Sequence, residues 1–534
     1  LDPAAQKINL NLIDHNKITK MFTTIKSASL VGIKALPVEV EVDVSRGLPN
    51  FVVVGLADNA IKESKERIRS AIKNCGFKFR PRRITINLAP ADLKKEGTAL
   101  DLPAALGIIA DELPELKKSS MLSEYLFCGE LSLDGRVKEI RGALPIALAA
   151  RESGCKGIFL PHVNAAEAAA IAEIEIIAVS SLLETLDIIQ EKIPRPERPK
   201  TLTRSSENTT NFLDFADVRG QAQAKRALEI AAAGNHNLLF VGPPGSGKTM
   251  LAKRLPSILP ELTFEESLET TIIHSVAGLI RQGQGLIRER PFRQPHHTIS
   301  DVALIGGGAQ PRPGEVTLAH NGILFLDEFP EFRRSALEVL RQPLESLDIT
   351  IARAQAQAIF PADFVLITAM NPCPCGHYGD PIHECICSAT QIQRYRQKIS
   401  GPLLDRIDLH IEVPAVATRE LINPESCKLE ENSKDIRARV LKARNIQLKR
   451  LQNHARRHNS ALNDKDLKKY CRLDTDCRNL LQTAMDRLGL SARAYSRILK
   501  VARTIADLKT EQNITSADIA EAIQFRSLDR RLTL

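Results

Sequence analysis

The sequence predicts an α/β protein of two or three domains, and three observations carry that expectation. The chain has 534 residues, more than one hydrophobic core organises. Gly242, Pro243, Pro244, Gly245, Ser246, Gly247, Lys248 and Thr249 form a G-x-x-x-x-G-K-T loop between an apolar, strand-like run (237–241) and a helix opening (250–254). Elsewhere, runs of alternating apolar and polar residues are interleaved with runs at helical spacing.

Composition narrows the function classes. A hydrophobic content of 43% with 26% charged residues is that of a globular protein, and no long uncharged apolar run is present to span a bilayer. A cytoplasmic location is expected, with no membrane partner, and there the ten cysteines stay reduced. The net charge of +9 favours a polyanionic partner such as nucleic acid. Trp is absent and aromatics are 4%, so base stacking is not expected to be the main mode of binding.

Residues 1–20 precede Met21 and are set aside as an upstream extension or a cloning remnant. A first domain is expected over 21–193. Val38, Val40, Val42 and Val44 alternate with Glu39, Glu41 and Asp43, the pattern of a half-buried strand. Residues 51–55 and 84–88 read as further strands, and 62–73 and 102–110 as helices, the former with Ile68 and Ile72 at i,i+4 spacing. Pro194, Pro196 and Pro199 open a polar stretch to Asn211, read as an extended linker over 194–211. An ATPase core is then expected over 212–432 and a helical lid over 433–534.

The loop at 242–249 implies binding of a nucleoside triphosphate, ATP, with Mg²⁺. Its glycines let backbone N–H groups turn towards phosphate oxygens, and the helix N-terminus adds its positive end. Lys248 would reach the β- and γ-phosphates, and the Thr249 hydroxyl would ligate Mg²⁺. Residues 322–326 form a second apolar run ending in Asp327 and Glu328. Such a strand is expected beside the strand feeding the phosphate loop. Asp327 would then hold Mg²⁺ through water, and Glu328 would orient and deprotonate the attacking water. A third strand, 364–370, ends at Asn371, whose amide could sense the γ-phosphate or position the water.

Cys373, Cys375, Cys385 and Cys387 form two close pairs with His377 and His383 between them. Four thiols so grouped suit a structural Zn²⁺ site; the alternative is free thiols without metal. After residue 432 the chain turns helical and basic, through Lys434, Arg437, Arg439, Lys442, Arg444, Lys449 and Arg450. That face is either a nucleic-acid contact or an ordinary solvated helix. Residues 514–522 read as a capped helix.

Several segments resemble known families. Gly97, Thr98, Ala99 and Asp101, then Gly129, Glu130, Gly135 and Arg136, and the run from Arg141 to Ala150 are similar to the proteolytic domain of the Lon family. Ala99 stands about where Lon has its serine, and the lysine segment offers Leu144 and Ile146. The resemblance implies a Lon-like α/β scaffold or binding domain without acyl-transfer chemistry. Residues 401–409, around Arg406, resemble a segment shared by the magnesium-chelatase subunit and the MCM helicases, both AAA+ ATPases. The resemblance implies that Arg406 acts across a subunit interface on a neighbour's γ-phosphate. Residues 490–497 resemble the second sensor of that group, with Arg493 the first candidate and Arg497 the second. Residues 218–221 resemble the segment that packs on adenine. Residues 278–297 resemble the helix-2 insert of the group, and 347–357 the hairpin before the first sensor. Both elements face the channel in ring-shaped members, which makes Arg288, Arg293 and Arg353 candidates to track a DNA backbone by charge; solvated surface arginines are the alternative.

Taken together, these segments resemble the YifB/ComM family of magnesium-chelatase-like proteins from Phe22 to the C-terminus. The resemblance implies a homohexameric, ATP-driven DNA motor. Its expected role is that of a helicase and branch-migration factor in homologous recombination during natural transformation. The rival expectations are a chelatase-like or protein-remodelling motor that does not act on DNA and an ATP-dependent protease, against which Ala99 argues.

Overall fold

The computed structural model describes residues 22–95, 97–199, 213–308, 311–353, 356–380, 383–415, 431–454 and 456–526. The expected extension at 1–20 and the expected linker beyond residue 199 lie outside the described residues. The chain divides into two compact units, the first of Leu1–Leu202 with Arg281–Gly285 and the second of Thr203–Ile280 with Leu286–Leu534. Among the described residues no helix is long and apolar enough to cross a membrane.

The first unit contains β1 (Thr23–Val31), β2 (Lys34–Ser45), β3 (Asn50–Val54), α1 (Asn59–Asn74), β4 (Arg83–Ala89), α2 (Asp101–Glu112), β5 (Tyr125–Phe127), α3 (Ala143–Glu152), β6 (Gly157–Pro161) and β7 (Glu175–Val179). These seven strands form one mixed sheet in the order β3-β4-β2-β1-β5-β6-β7, and Glu130–Leu131 pairs separately with Val137–Lys138. Period-two alternation decides which face of β2 is buried: Val38, Val40 and Val42 are in the core, where Ile68 and Ile72 of α1 join them. Leu144 and Ile146 are sealed inside this unit on α3, and the Ala99 carbonyl accepts from the Gly129 N–H at 2.8 Å. The neighbouring Thr98 hydroxyl is hydrogen-bonded to the Glu130 carboxylate. Residues 194–199 lie in no helix or strand, but they are fastened down. Arg195 pairs with Glu175 at 3.0 Å, and Arg198 donates to the carbonyls of Ala169 and Ala172, both at 3.1 Å.

The second unit is built on a parallel sheet. Its elements are α4 (Ala222–Gly234), β8 (Leu238–Val241), α5 (Lys248–Ala252), α6 (Phe264–Ala277), β9 (Phe292–Arg293), β10 (Ile323–Leu326), β11 (Asp348–Arg353), β12 (Ala356–Pro361), β13 (Val365–Met370), α7 (Ala389–Arg396), β14 (Leu409–Glu412), α8 (Ser433–Arg450), α9 (Ala492–Leu508) and α10 (Ser516–Gln524). The sheet order is β9-β10-β13-β8-β14, with β11 and β12 a separate antiparallel hairpin. One sequence expectation is corrected here. The strand carrying Asp327 and Glu328 does not adjoin the strand feeding the phosphate loop; β13 lies between them, paired in parallel with both. Every residue of β8, β10 and β13 is buried, so continuous apolar runs replace alternation, as in sheets covered on both faces.

The helices after residue 432 share a core with this sheet. Ile436, Val440 and Ala443 of α8 and Ile498, Val501 and Ile505 of α9 belong to the same hydrophobic cluster as Leu238 and Phe240. α9 is capped by the Ser491 side chain, and α10 by a reciprocal pair between Thr515 and Asp518. The basic face of α8 is partly spent on structure. Arg437 pairs with Glu261, Arg439 with Glu229 and Glu431, and Arg450 with Asp507, whereas Lys434, Lys442 and Lys449 are exposed.

A buried polar knot joins α9 to the sheet. Asp408, 2% exposed, accepts from the Asn237 N–H at 3.1 Å, lies 3.2 Å from His236 Nδ1 and is paired with Arg497. Burial alone would raise its pKa, but Arg497 and His236 hold the carboxyl well below the usual carboxylate range. Arg497→Ala is expected to lower the stability of this unit by about 3–5 kcal/mol, read from the urea midpoint of its transition, because the carboxylate stays buried without its main cation. A depressed carboxyl contributes stability that is full above about pH 4 and is lost as the pH falls through its folded value, so the penalty should shrink in acid.

Candidate functional site

The parallel strands β8, β13 and β10 deliver their chemistry at their C-terminal ends, where an open α/β sheet presents ligand sites. β8 ends at Val241 and opens the phosphate loop, in which Gly247 takes a left-handed φ of 87° before α5 begins at Lys248. The Lys248 ammonium folds back into the loop, 2.7 Å from the Gly242 carbonyl and 2.8 Å from that of Pro243. It also lies 3.3 Å from Asn371 Oδ1, so the strand that intervenes places its terminal amide against the loop's lysine. Burial pushes the Lys248 ammonium down to about 8, against the attraction of Asp327. A positive group held on neutral carbonyls inside a loop of inward-facing backbone is chemically matched to phosphate oxygens.

The Thr249 hydroxyl donates to Asp327 Oδ2 at 2.6 Å. A hydroxyl and a carboxylate held together beside a phosphate loop form the oxygen set that Mg²⁺ takes with its waters. The other Asp327 oxygen accepts the Glu328 backbone N–H at 3.0 Å. Glu328 itself has a left-handed φ of 53°, its side chain is 59% exposed, and its Oε2 lies 3.1 Å from His297 Nδ1.

The four thiols converge just after Asn371. Cys373 and Cys375 are 3.3 Å apart, and Cys385 is 3.7 Å from Cys373 and 3.6 Å from Cys375. Cys387 Sγ accepts from the Cys375 N–H at 3.4 Å. Zn–S bonds of about 2.3 Å place sulfurs about 3.8 Å apart in a tetrahedron, close to these separations, so the thiols fit a structural metal. The His377 N–H and the other donors around Cys375 lower that thiol to about 6, whereas Cys385 and Cys387 are raised, by burial and by the Cys373 and Cys375 thiols beside them. The two intervening histidines turn elsewhere: His377 and His383 point Nδ1 at Asp380 Oδ2, at 3.3 and 3.1 Å.

This loop also abuts the phosphate loop. Gly376 has a φ of 87°, and a Cβ there would sit 2.5 Å from Pro244 Cδ.

Arg406 is 4% exposed and donates to the Pro402 carbonyl and to Glu345 of its own chain; its Nε has no hydrogen-bond partner. The acidic residues nearest to it in sequence, Asp405 and Asp408, are not its partners; Asp408 is taken by Arg497 and His236. Arg493 is 59% exposed and lies 3.9 Å from the same Glu345, so the two arginines converge on one carboxylate. Arg288 is exposed, whereas Arg293 makes a two-pronged contact with Glu315, both prongs 2.7 Å. Arg353 is the last residue of β11, at the start of the hairpin turn; Gln355 in that turn lies outside the described residues. Sequence reading missed Glu345 and the Glu328 contact of His297. Neither has a local signature, since both are made across long stretches of chain.

Gly376→Ala is expected to weaken binding of a non-hydrolysable ATP analogue with Mg²⁺ by roughly fivefold in calorimetry, because overpacking costs about 1 kcal/mol or more at a close contact.

Three family models cover most of the chain. "Subunit ChlI of Mg-chelatase" matches residues 40–164, "Magnesium chelatase, subunit ChlI" matches 214–421, and "Magnesium chelatase, subunit ChlI C-terminal" matches 430–526. The chain is 45% identical over 514 residues to the competence protein ComM of Haemophilus influenzae, covering 95% of this chain and 98% of that one. It is 43% identical over 508 residues to the uncharacterized protein YifB of Salmonella typhimurium, covering 95% and 97%. A shorter match, 28% identical over 179 residues, is to Lon protease 2 of Bacillus subtilis and covers 31% of this chain and 32% of that one. The chain belongs to the YifB/ComM family of magnesium-chelatase-like proteins.

Proposed function

We propose that this chain is an ATPase whose turnover drives movement along DNA from a ring of six copies. The observation that carries the ATPase reading is the convergence, at one end of one sheet, of Lys248 with Asn371 and of Thr249 with Asp327, next to Glu328. Lys248 and the loop backbone hold the β- and γ-phosphates. Thr249 and Asp327 hold Mg²⁺, which when bound neutralises phosphate charge. Glu328 orients the attacking water and takes its proton, and Asn371 fixes the position of that water. Arg406 exchanges its Glu345 partner for the nucleotide of a neighbouring copy, with Arg493 in support.

The DNA reading draws on three things. The net charge is +9, Arg288 is exposed, and a relative with 45% identity is named a competence protein. Arg288 and Arg353 track phosphates without reading sequence; Arg293 contributes less, being bound to Glu315. The role inferred is that of a helicase or branch-migration factor in recombination during natural transformation. The second reading, a chelatase-like motor that ignores DNA, is favoured by the descriptions of the three matching family models. The four thiols hold one Zn²⁺ that stiffens the loop between Asn371 and α7.

ATPase rate with single-stranded, duplex and four-way-junction DNA, measured beside particle mass, separates the readings. Strong stimulation by DNA with a six-copy particle is expected, and absence of stimulation by all three favours the second reading. Lys248→Ala should lose nucleotide binding. Glu328→Gln should bind ATP without turnover, and parental turnover in that variant would refute the base assignment. Arg406→Ala subunits mixed with the parent should depress turnover beyond their mole fraction. Metal analysis should find one zinc per chain, lost in Cys385→Ser; less than half an equivalent in the parent counts against the metal.

A further inference from the structure

We propose that His377, Asp380 and His383 form a second, open site for a divalent transition-metal ion, distinct from the four thiols of the same loop. His377 Nδ1 lies 3.3 Å and His383 Nδ1 3.1 Å from one carboxylate oxygen, Asp380 Oδ2. A ligand atom of each residue lies within 4.8 Å of those of the other two. Two imidazoles and one carboxylate are the donor set that Zn²⁺ and its first-row neighbours take, whereas Mg²⁺ prefers oxygen ligands.

The separations suit coordination better than hydrogen bonding. An N–H donated to a carboxylate closes to about 2.7–2.9 Å. Zn–N and Zn–O bonds of about 2.0–2.1 Å set ligand atoms about 3.3 Å apart on a tetrahedron. Both distances here are longer than the first range and approach the second value. The two rings stand 4.9 Å apart between centroids and are tilted by 40°, so they reach the same oxygen from different directions.

The chain builds this set locally. His377, Asp380 and His383 follow one another at intervals of three residues. Gly379 takes a left-handed φ of 80°, and the Asp380 N–H donates to the His377 carbonyl at 3.0 Å. That turn brings the first imidazole to the carboxylate. Its base is tied to the thiols, since the Tyr378 N–H donates to Cys373 Sγ at 3.3 Å. The Asp380 side chain is 5% exposed and anchors the set, whereas those of His377 and His383 are 34% and 63% exposed. An ion held there is bound from the protein side by three ligands and faces water on the other. Three protein ligands with a position left for water make an open site, in contrast to the closed one that four thiols form. The ion in the open site is therefore the exchangeable one.

The test uses the full chain, desalted after purification, with Mg²⁺ present throughout so that oxygen sites stay filled. Zn²⁺ is injected in a calorimeter, and the zinc of the desalted chain is measured separately. The parent should bind one equivalent more than the desalted chain and its thiols account for. His383→Ala and His377→Ala should each weaken that equivalent by at least about tenfold, because even the loss of a residue that only supports a ligand costs about 10- to 100-fold. Both variants should keep the parental zinc content after desalting and the parental unfolding midpoint. No further equivalent in the parent, or one that binds equally well in both variants, overturns the site. Variants that lose the zinc of the desalted chain also overturn it, because the imidazoles then serve the thiol-bound ion. The thiol assignment stands or falls on Cys385→Ser, which removes none of these three ligands.

Discussion

The carboxylate of Asp408 is the interaction on which the second unit depends. It is sealed from water at the N-terminal ends of the sheet strands, where Asn237 precedes β8 and Leu409 begins β14. Asn237 binds in three directions. Its Oδ1 accepts from Leu366 of β13, its Nδ2 donates to the Arg406 carbonyl, and its own carbonyl accepts from Asp408 and Leu409. His236, at the same end, reaches Thr504 of α9 at 2.8 Å. A fully satisfied buried network of this kind fixes one register of strands and one docking of the helix. The opposite strand ends are held on the same framework. They can carry Lys248, Asn371 and Glu328 in arrangements that a ligand is free to change.

Much of this architecture was legible locally. The phosphate loop, the apolar runs ending in Asp327 and Asn371, and the alternation of Val38, Val40 and Val42 each announce themselves within ten residues, because strand burial and loop geometry are local demands. The order of strands was not legible. Nothing in residues 364–370 says that they slip between the other two runs, since a fully buried strand has no marked face. The partner of Arg406 was also out of reach: Asp405 and Asp408 are nearest in sequence, but Asp408 is already committed to Arg497, which leaves Glu345. The helical spacing in 433–450 predicted α8 but not how many of its cations would be absorbed by Glu229, Glu261, Glu431 and Asp507.

The resemblance of the first unit to the Lon proteolytic domain sets Ala99, Leu144 and Ile146 about where that domain has its serine and its lysine. Leu144 and Ile146 are core residues of α3, and the nearby Thr98 hydroxyl is bound to Glu130. A buried leucine holds a helix against a sheet as well as any residue can, but it can neither give nor take a proton.

The approach of Gly376 to Pro244 has a consequence for how this chain can vary. The two residues belong to different loops, one shaped by thiols and the other by phosphate, yet the space between them admits no added methyl. A side chain at 376 requires a smaller ring-free residue at 244, and its left-handed backbone narrows the choice further. Positions 244 and 376 form one mutational unit: among related sequences they should change together or stay fixed together.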